Sequence, residues 1–255
     1  MDDLELLIDL HTDMERQGPG GQAETRMALA LSGLKPCSDL KIADIGCGSG
    51  ASALLLAQKL DASVTAVDFA PAFVERLEDA ARKAGLEERI TAMIASMDAL
   101  PFHHEEFDAI WSEGAAYNMG FEAAIRAWRP FLKPAGILAI SELTWLSGRR
   151  PADLQAHWER EYPEVDTASA KIAILEKYGF SPLGYFVLPE HCWLDNYYRP
   201  LQRRFAAFVE RHANCDQARA LVDSQKAEIT LYERNKAYVG YGFFIARKLM
   251  DQQGT

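Results

Sequence analysis

Residues Ala43-Asp44-Ile45-Gly46-Cys47-Gly48-Ser49-Gly50, ADIGCGSG, place three glycines within five positions. The apolar run Leu40-Lys41-Ile42 leads into them, and ASALLLAQKL follows at 51–60. A strand that ends in such a turn and opens a helix is the usual seat of a nucleotide-like ligand in open α/β folds. Glycine is needed because the chain turns sharply and because ligand and backbone must approach closely. The spacing is G-x-G-x-G, not the G-x-G-x-x-G of dinucleotide sites. No Lys followed by Ser or Thr supplies a P-loop.

Acids near the turn narrow the ligand. The Asp44 carboxylate is expected close to the bound group, where a pyrophosphate would repel it and an ammonium or sulfonium would attract it. S-adenosylmethionine (AdoMet) carries both cations, and its one carboxylate can use the free N–H groups of the turn. Asp68 ends the second strand in TAVDFAP and can accept both ribose hydroxyls, a feature shared with NAD sites. Asp98, in ASMDALPF, follows the third strand. Its carboxylate can take an exocyclic amine, while the Met97–Asp98 backbone meets a ring nitrogen. An NAD(P)-binding oxidoreductase is the competing reading, and a non-catalytic AdoMet-binding sensor is the third.

Outward from the turn, strands at 40–45, 63–67, 89–95, 107–112 and 136–143 alternate with helices at 51–60, 71–85 and 121–132. Pro71 stands in the first turn of its helix and Gly85 just past the end. Such alternation builds βαβ units and a parallel sheet with helices on both faces. Two helical stretches within 151–179, a sixth strand at 181–189, two helical stretches at 193–213 and 216–235 and a last strand at 237–249 complete the chain. Pro200 starts or kinks the first of the later pair. The helices at the two chain ends and between the late strands have no place in a minimal sheet. They are read as a cap over its carboxyl edge, where ligands of open α/β sheets bind.

In order, ADIGCGSG, AVDFAP, SMDALPF with FDAIWSEGA, and LKPAGILAISE resemble successive motifs of class I AdoMet-dependent methyltransferases, nearest the small-molecule, ubiquinone-biosynthesis-like branch. The resemblance spans about residues 40 to 145. It implies an α/β, Rossmann-like doubly wound seven-stranded sheet whose last strand is antiparallel, with helical cap elements. It also implies that Asp44, Gly46, Gly48, Gly50, Asp68, Phe69, Met97 and Asp98 form the cofactor site. The N-terminal segment commonly closes over the cofactor in such enzymes, which makes Gln17 and Gly18 lid candidates. One domain, 1–255, is expected: N-terminal helices and lid at 1–39, an AdoMet-binding core at 40–145, cap helices and sixth strand at 146–236, and the last strand at 237–249.

The 255 residues suit one large α/β domain and bury a core without staples. A formal charge of -10 argues against a nucleic-acid partner, because phosphate backbones need clustered Lys and Arg. Four cysteines at 37, 47, 192 and 215 form no CxxC, and no His/Cys spacing suggests a metal site. The start, MDDLELLIDL, lacks the basic n-region of a signal peptide, and no window is long and apolar enough for a membrane span. The expected setting is the cytoplasm, with free thiols, a small-molecule acceptor and no membrane partner. Nothing in the sequence sets an oligomeric state.

Methyl transfer from a sulfonium is an in-line displacement, and a base is needed only if the acceptor must lose a proton. Glu113, Glu142 and His191 are the candidates for that role. Each has a structural alternative as a loop, core or cap residue. Tyr117, Asn118, Trp145, Trp193 and Tyr197 are candidates for the acceptor pocket, against helix-capping for Asn118 and core burial for the aromatic residues.

Overall fold

Side chains alternate between two cores along strand β1 (Lys41–Ile45), as the period of two requires. Ile42 joins one apolar cluster, Ala43 and Ile45 the other. Both faces of the sheet are therefore covered, which explains why its central strands read as continuous apolar runs. The computed structural model describes residues 2–250. Met1 and residues 251–255 of the expected 1–255 domain lie outside them.

The remaining strands are β2 (Ser63–Asp68), β3 (Ile90–Ile94), β4 (Phe107–Glu113), β5 (Leu132–Trp145), β6 (Asp166–Thr167), β7 (Phe180–Val187) and β8 (Val239–Lys248). The sheet runs β3-β2-β1-β4-β5-β8-β7, with β6 paired to β5. Strands β1 to β5 are parallel to one another, and β8 is antiparallel to both β5 and β7. The seven long strands and the antiparallel last one match the expectation. The two-residue β6 is additional. Chain order reverses between β1 and β4, and this switch point opens a crevice at the carboxyl ends of the strands.

Helices α1 (Asp3–His11), α2 (Gln22–Ser32), α3 (Ala51–Leu60), α4 (Pro71–Ala84), α5 (Phe121–Trp128), α6 (Ala152–Glu161), α7 (Ala168–Lys177), α8 (Glu190–Trp193), α9 (Arg199–Arg211) and α10 (Asp216–Asn235) complete the fold. Two expectations are corrected. The helix expected over 121–132 stops at Trp128 and tightens into a 3₁₀ turn at Arg129–Phe131, because Pro130 lacks the N–H that an α-turn needs. Strand β5 then starts early, at Leu132, and runs for 14 residues. Further, α2 and α7 are not cap elements. α2 packs on β5, β7 and β8, and α7 packs on β7, β8 and α5, so both belong to the layers flanking the sheet.

Between α8 and α9 the helix widens into a π turn, Leu194–Tyr198. Pro200 follows at the start of α9. In a continuous α-helix its ring would meet the carbonyl four residues back, and the wider turn relieves that clash.

Gly50 and Gly85 both have positive φ, at 90° and 65°. A Cβ on Gly50 would lie 2.1 Å from Leu77 Cδ1, whereas one on Gly85 would meet nothing within 4 Å. Urea unfolding should therefore separate them. Gly85→Ala is expected to cost about 1 kcal/mol from backbone strain alone. Gly50→Ala is expected to cost about 1–3 kcal/mol more, because α4 must move.

Candidate functional site

The crevice is a cavity of about 660 Å³. Its floor is the glycine turn, and the glycines there do different work. Gly48 leaves room for the lid, since a Cβ on it would sit 2.1 Å from Gln17 Oε1. A Cβ on Gly46 would sit 2.3 Å from the Ala115 Cβ. Gly50 faces α4 instead of the cavity. The Asp68 carboxylate accepts from the backbone N–H groups of Gly48 at 2.9 Å and Ala70 at 3.0 Å, so it also shapes the turn.

One wall holds Phe69, 46% exposed, together with Met97 and Asp98. Trp128 Nε1 donates to the Met97 carbonyl at 3.0 Å, and Asp98 accepts from Ser96 Oγ at 2.5 Å. Over the floor runs the segment 12–21. Gln17 clasps the turn: its Oε1 accepts from Ser49 N at 2.9 Å, and its Nε2 donates to the Met14 carbonyl at 3.1 Å. Gly18 lines the cavity beside it.

Of the ten residues expected at the cofactor, eight line this cavity: Gln17, Gly18, Gly46, Gly48, Asp68, Phe69, Met97 and Asp98. Asp44 and Gly50 do not. Asp44 is fully buried behind the turn, where Ser52 Oγ donates to its Oδ2 at 2.6 Å and its Oδ1 has no partner. Desolvation pushes its pKa up to about 7, against the opposing Ser52 hydrogen bond.

The three base candidates fare differently. Glu113 lines the cavity but is fully engaged. Arg16 forms an ion pair with it at 2.7 Å, and Thr25 Oγ1 and Trp111 Nε1 both donate to its other oxygen at 2.8 Å. It is a clamp for segment 12–21, not a free base. Glu142 is fully buried and off the cavity, because alternation along β5 turns Leu143 to the cavity and Glu142 away from it. Burial raises its pKa to about 7, and the buried Lys171 ammonium opposes that rise.

His191 also misses the cavity. At about 100° per residue it points nearly opposite Trp193 on α8 and pairs with Glu24 at 3.3 Å. Glu24, His191 and Cys192 bring one donor atom each within 4.8 Å of one another there, a gathering that no sequence spacing announced. Burial pushes the Cys192 thiol up to about 12, so it stays protonated.

Tyr117, Asn118, Trp193 and Tyr197 line the cavity as expected. Trp145 does not. It is buried beneath the Arg150 guanidinium, 4.3 Å above its ring. Sequence reasoning missed several lining residues. Helix α1 presents Leu4, Leu7, Ile8 and His11 to the cavity, a stripe with helical spacing that could have been read as a wall. His11 Nδ1 bonds the Leu7 carbonyl at 2.8 Å, and Nε2 meets the Tyr197 hydroxyl at 3.2 Å. Desolvation lowers the His11 pKa, which keeps the ring neutral. Tyr162, Tyr241, Glu161 and Glu228 come from α6, its C-terminal end, β8 and α10, and only the tertiary fold gathers them.

Residues 42–136 match the family profile described as a methyltransferase domain. The chain is 29% identical over 235 residues to the 27-O-demethylrifamycin SV methyltransferase of Amycolatopsis mediterranei, across 89% of this chain and 84% of that protein. Its fold is similar to two AdoMet-dependent methyltransferases crystallised with S-adenosylhomocysteine (AdoHcy). The one from Geobacter sulfurreducens gives a TM-score of 0.81 at 17% identity, over 95% of this chain and 97% of that one. The one from Thiobacillus denitrificans gives 0.82 at 18%, over 96% and 99%.

Two measurements check this electrostatic picture. An unfolded Asp titrates near about 4, whereas folded Asp44 titrates at about 7. Folding therefore favours its protonated form, and the contribution of this group to stability falls as pH rises across that window. Asp44→Asn keeps an acceptor for Ser52 and should gain on the wild type between pH 5 and pH 8 in urea unfolding. Arg16→Met strands the Glu113 charge and should cost about 3–5 kcal/mol, most of it recovered in Arg16→Met/Glu113→Gln.

Proposed function

We propose that this chain, which belongs to the class I AdoMet-dependent methyltransferases, passes the AdoMet methyl group to a small organic acceptor held in the same cavity. The observation that carries this reading is the continuity of one cavity from the glycine turn to the aromatic residues of α6, β8 and the π turn. A sensor would need the first half alone. The relative from Amycolatopsis mediterranei is named for a small organic acceptor, which supports the same acceptor class here.

The cavity fits the cofactor on its own features. Phe69 offers an exposed ring face, Asp98 an exposed carboxylate, and Asp68 a carboxylate at the edge of the turn. In this reading Asp68 holds the ribose, Phe69 and Asp98 hold the adenine, and the N–H groups of the turn receive the carboxylate. Gln17 and Gly18 close over them. Asp44 acts from behind by bracing the turn through Ser52, and Gly50 by admitting α4.

The cofactor supplies a methyl group on a positively charged sulfur, so transfer needs a nucleophile aligned behind that carbon. The protein's task is therefore positioning and water exclusion, worth up to about 7–11 kcal/mol in favourable cases. The aromatic residues of the cap perform both. Where the acceptor must lose a proton, the Tyr197 hydroxyl takes it while passing its own to His11 Nε2, 3.2 Å away; Glu113 is held by Arg16, and Glu142 lies off the cavity. The proposed setting is the cytoplasm, without a nucleic-acid or membrane partner. Among the described residues no helix is long and apolar enough to cross a membrane.

The test is AdoHcy formation with purified protein and a panel of small acceptors; no AdoHcy with any of them would remove the reading. Calorimetry supplies the cofactor half. AdoHcy should bind and NADH should not. Asp68→Ala should weaken AdoHcy by about 1–3 kcal/mol, since a charged acceptor of hydrogen bonds is lost.

A further inference from the structure

The half of the cavity away from the glycine turn has a consistent charge. Tyr117, Tyr197 and Tyr241 lie close enough to Glu228 to feel its charge. Burial first, and the neighbouring Glu161 charge after it, raise the Glu228 pKa, so a cation placed beside Glu228 would favour its ionised form. All five line the cavity. Among the described residues Arg16 is the single Lys or Arg on the lining, and Glu113 holds it at 2.7 Å. Lys171, the cation behind the wall, faces Glu142 and lies 4.5 Å above the Phe121 ring and 5.2 Å above the Tyr162 ring. His11 is kept neutral by burial. The acceptor half therefore offers carboxylates and ring faces, with no free cation.

The ring faces have the same preference. Trp193 stacks on Tyr232 at 4.4 Å and meets Tyr241 edge-on at 4.9 Å, which fixes Tyr241 across Gly114. Tyr117 and Tyr162 meet edge-on at 6.1 Å. Burial raises the pKa of the Tyr117, Tyr197 and Tyr241 hydroxyls, so each stays neutral. A wall of neutral aromatic rings attracts a cation by its quadrupole, most strongly where water is excluded. An anion entering the same space would lose its hydration and face the Glu228 and Glu161 carboxylates, with hydroxyl and indole N–H donors but no free cation to receive it. Glu228 is held in place from one side, where the Tyr198 hydroxyl donates to its Oε1 at 3.0 Å.

Resting on the methyltransfer reading above, we infer that the acceptor bears a basic amine, bound as a cation against Glu228 and the tyrosine wall, and that carboxylate or phosphate acceptors are refused. The wall then suits the cofactor for the same reason, since its sulfonium is also a cation that aromatic faces stabilise.

Two probes with one ring and opposite charge test this: 2-phenylethylamine and 3-phenylpropanoate, each titrated by calorimetry into AdoHcy-loaded protein. The amine should bind at least about tenfold tighter. In Glu228→Gln, which still accepts from Tyr198, that ratio should shrink to within about threefold while AdoHcy affinity stays at the wild-type value. Equal binding of the two probes, preference for the carboxylate, no amine binding at millimolar concentration, or an unchanged ratio in Glu228→Gln each overturns the inference. The first titration separates the two readings. Wild-type protein that fails to bind AdoHcy refutes the methyltransferase assignment, whereas AdoHcy binding with a wrong amine-to-carboxylate ratio refutes only the acceptor class.

Discussion

The Arg16–Glu113 pair is the contact on which the site depends. Glu113 is the last residue of β4, and Arg16 belongs to the segment that crosses the cavity. Thr25 from α2 and Trp111 from β4 complete the shell of the carboxylate. Taking both charges out of water costs several kcal/mol per ion, and that cost is offset only when every lone pair is met. Here Arg16 meets one oxygen and Thr25 and Trp111 the other, so one carboxylate fixes the sheet edge, α2 and the crossing segment relative to each other. The same saturation has a chemical result. It withdraws Glu113 from proton transfer and withdraws the one guanidinium of the lining from ligand recognition.

Much of the architecture was legible because it rests on short-range rules. Glycines at a strand-to-helix turn, Pro71 and Gly85 around one helix, and apolar runs of strand length locate most of the sheet. Asp68 and Asp98 follow from their places, one at the end of a strand and one after it. What escaped the sequence depends on side-chain direction. Glu142 and Leu143 are neighbours in sequence, and only the phase of β5 decides which meets the cavity. His191 and Trp193 are two apart, and only the phase of α8 separates them. His11 was passed over because one histidine in a short amphipathic helix carries no signal until that helix is seen as a wall. Lys171 and Glu142 find each other across elements that no local pattern connects. Asp44 illustrates a subtler limit. Its position beside the turn was right, but a short side chain on a buried strand points where the pleat sends it.

The segment that matches the methyltransferase domain profile and the segment that lines the outer cavity are different parts of the chain. The matched domain ends at residue 136, before the residues of α6, the π turn, α10 and β8 that line the outer cavity. In the proposed function the shared fold carries the cofactor chemistry, and the acceptor is argued from the side chains of the cap. Those side chains are large, aromatic and held by one another, as the Trp193–Tyr232 stack shows. Such a wall is rigid, so in the proposed function it would discriminate by shape and charge more than by adjustment.

The π turn gives the cap a property of its own. Trp193, just before it, and Tyr197, within it, repeat at a spacing of four toward the cavity; downstream, Leu201, Phe205 and Phe208 keep helical spacing toward the core. The wide turn is a phase joint between the two series. Removing one residue there would rotate everything beyond it by about 100° and bring those core side chains out to solvent. Moving the joint along the helix would instead re-aim a single wall residue while the packed remainder kept its register. The outer cavity can thus be reshaped by a shift of phase, without rebuilding the cap that supports it.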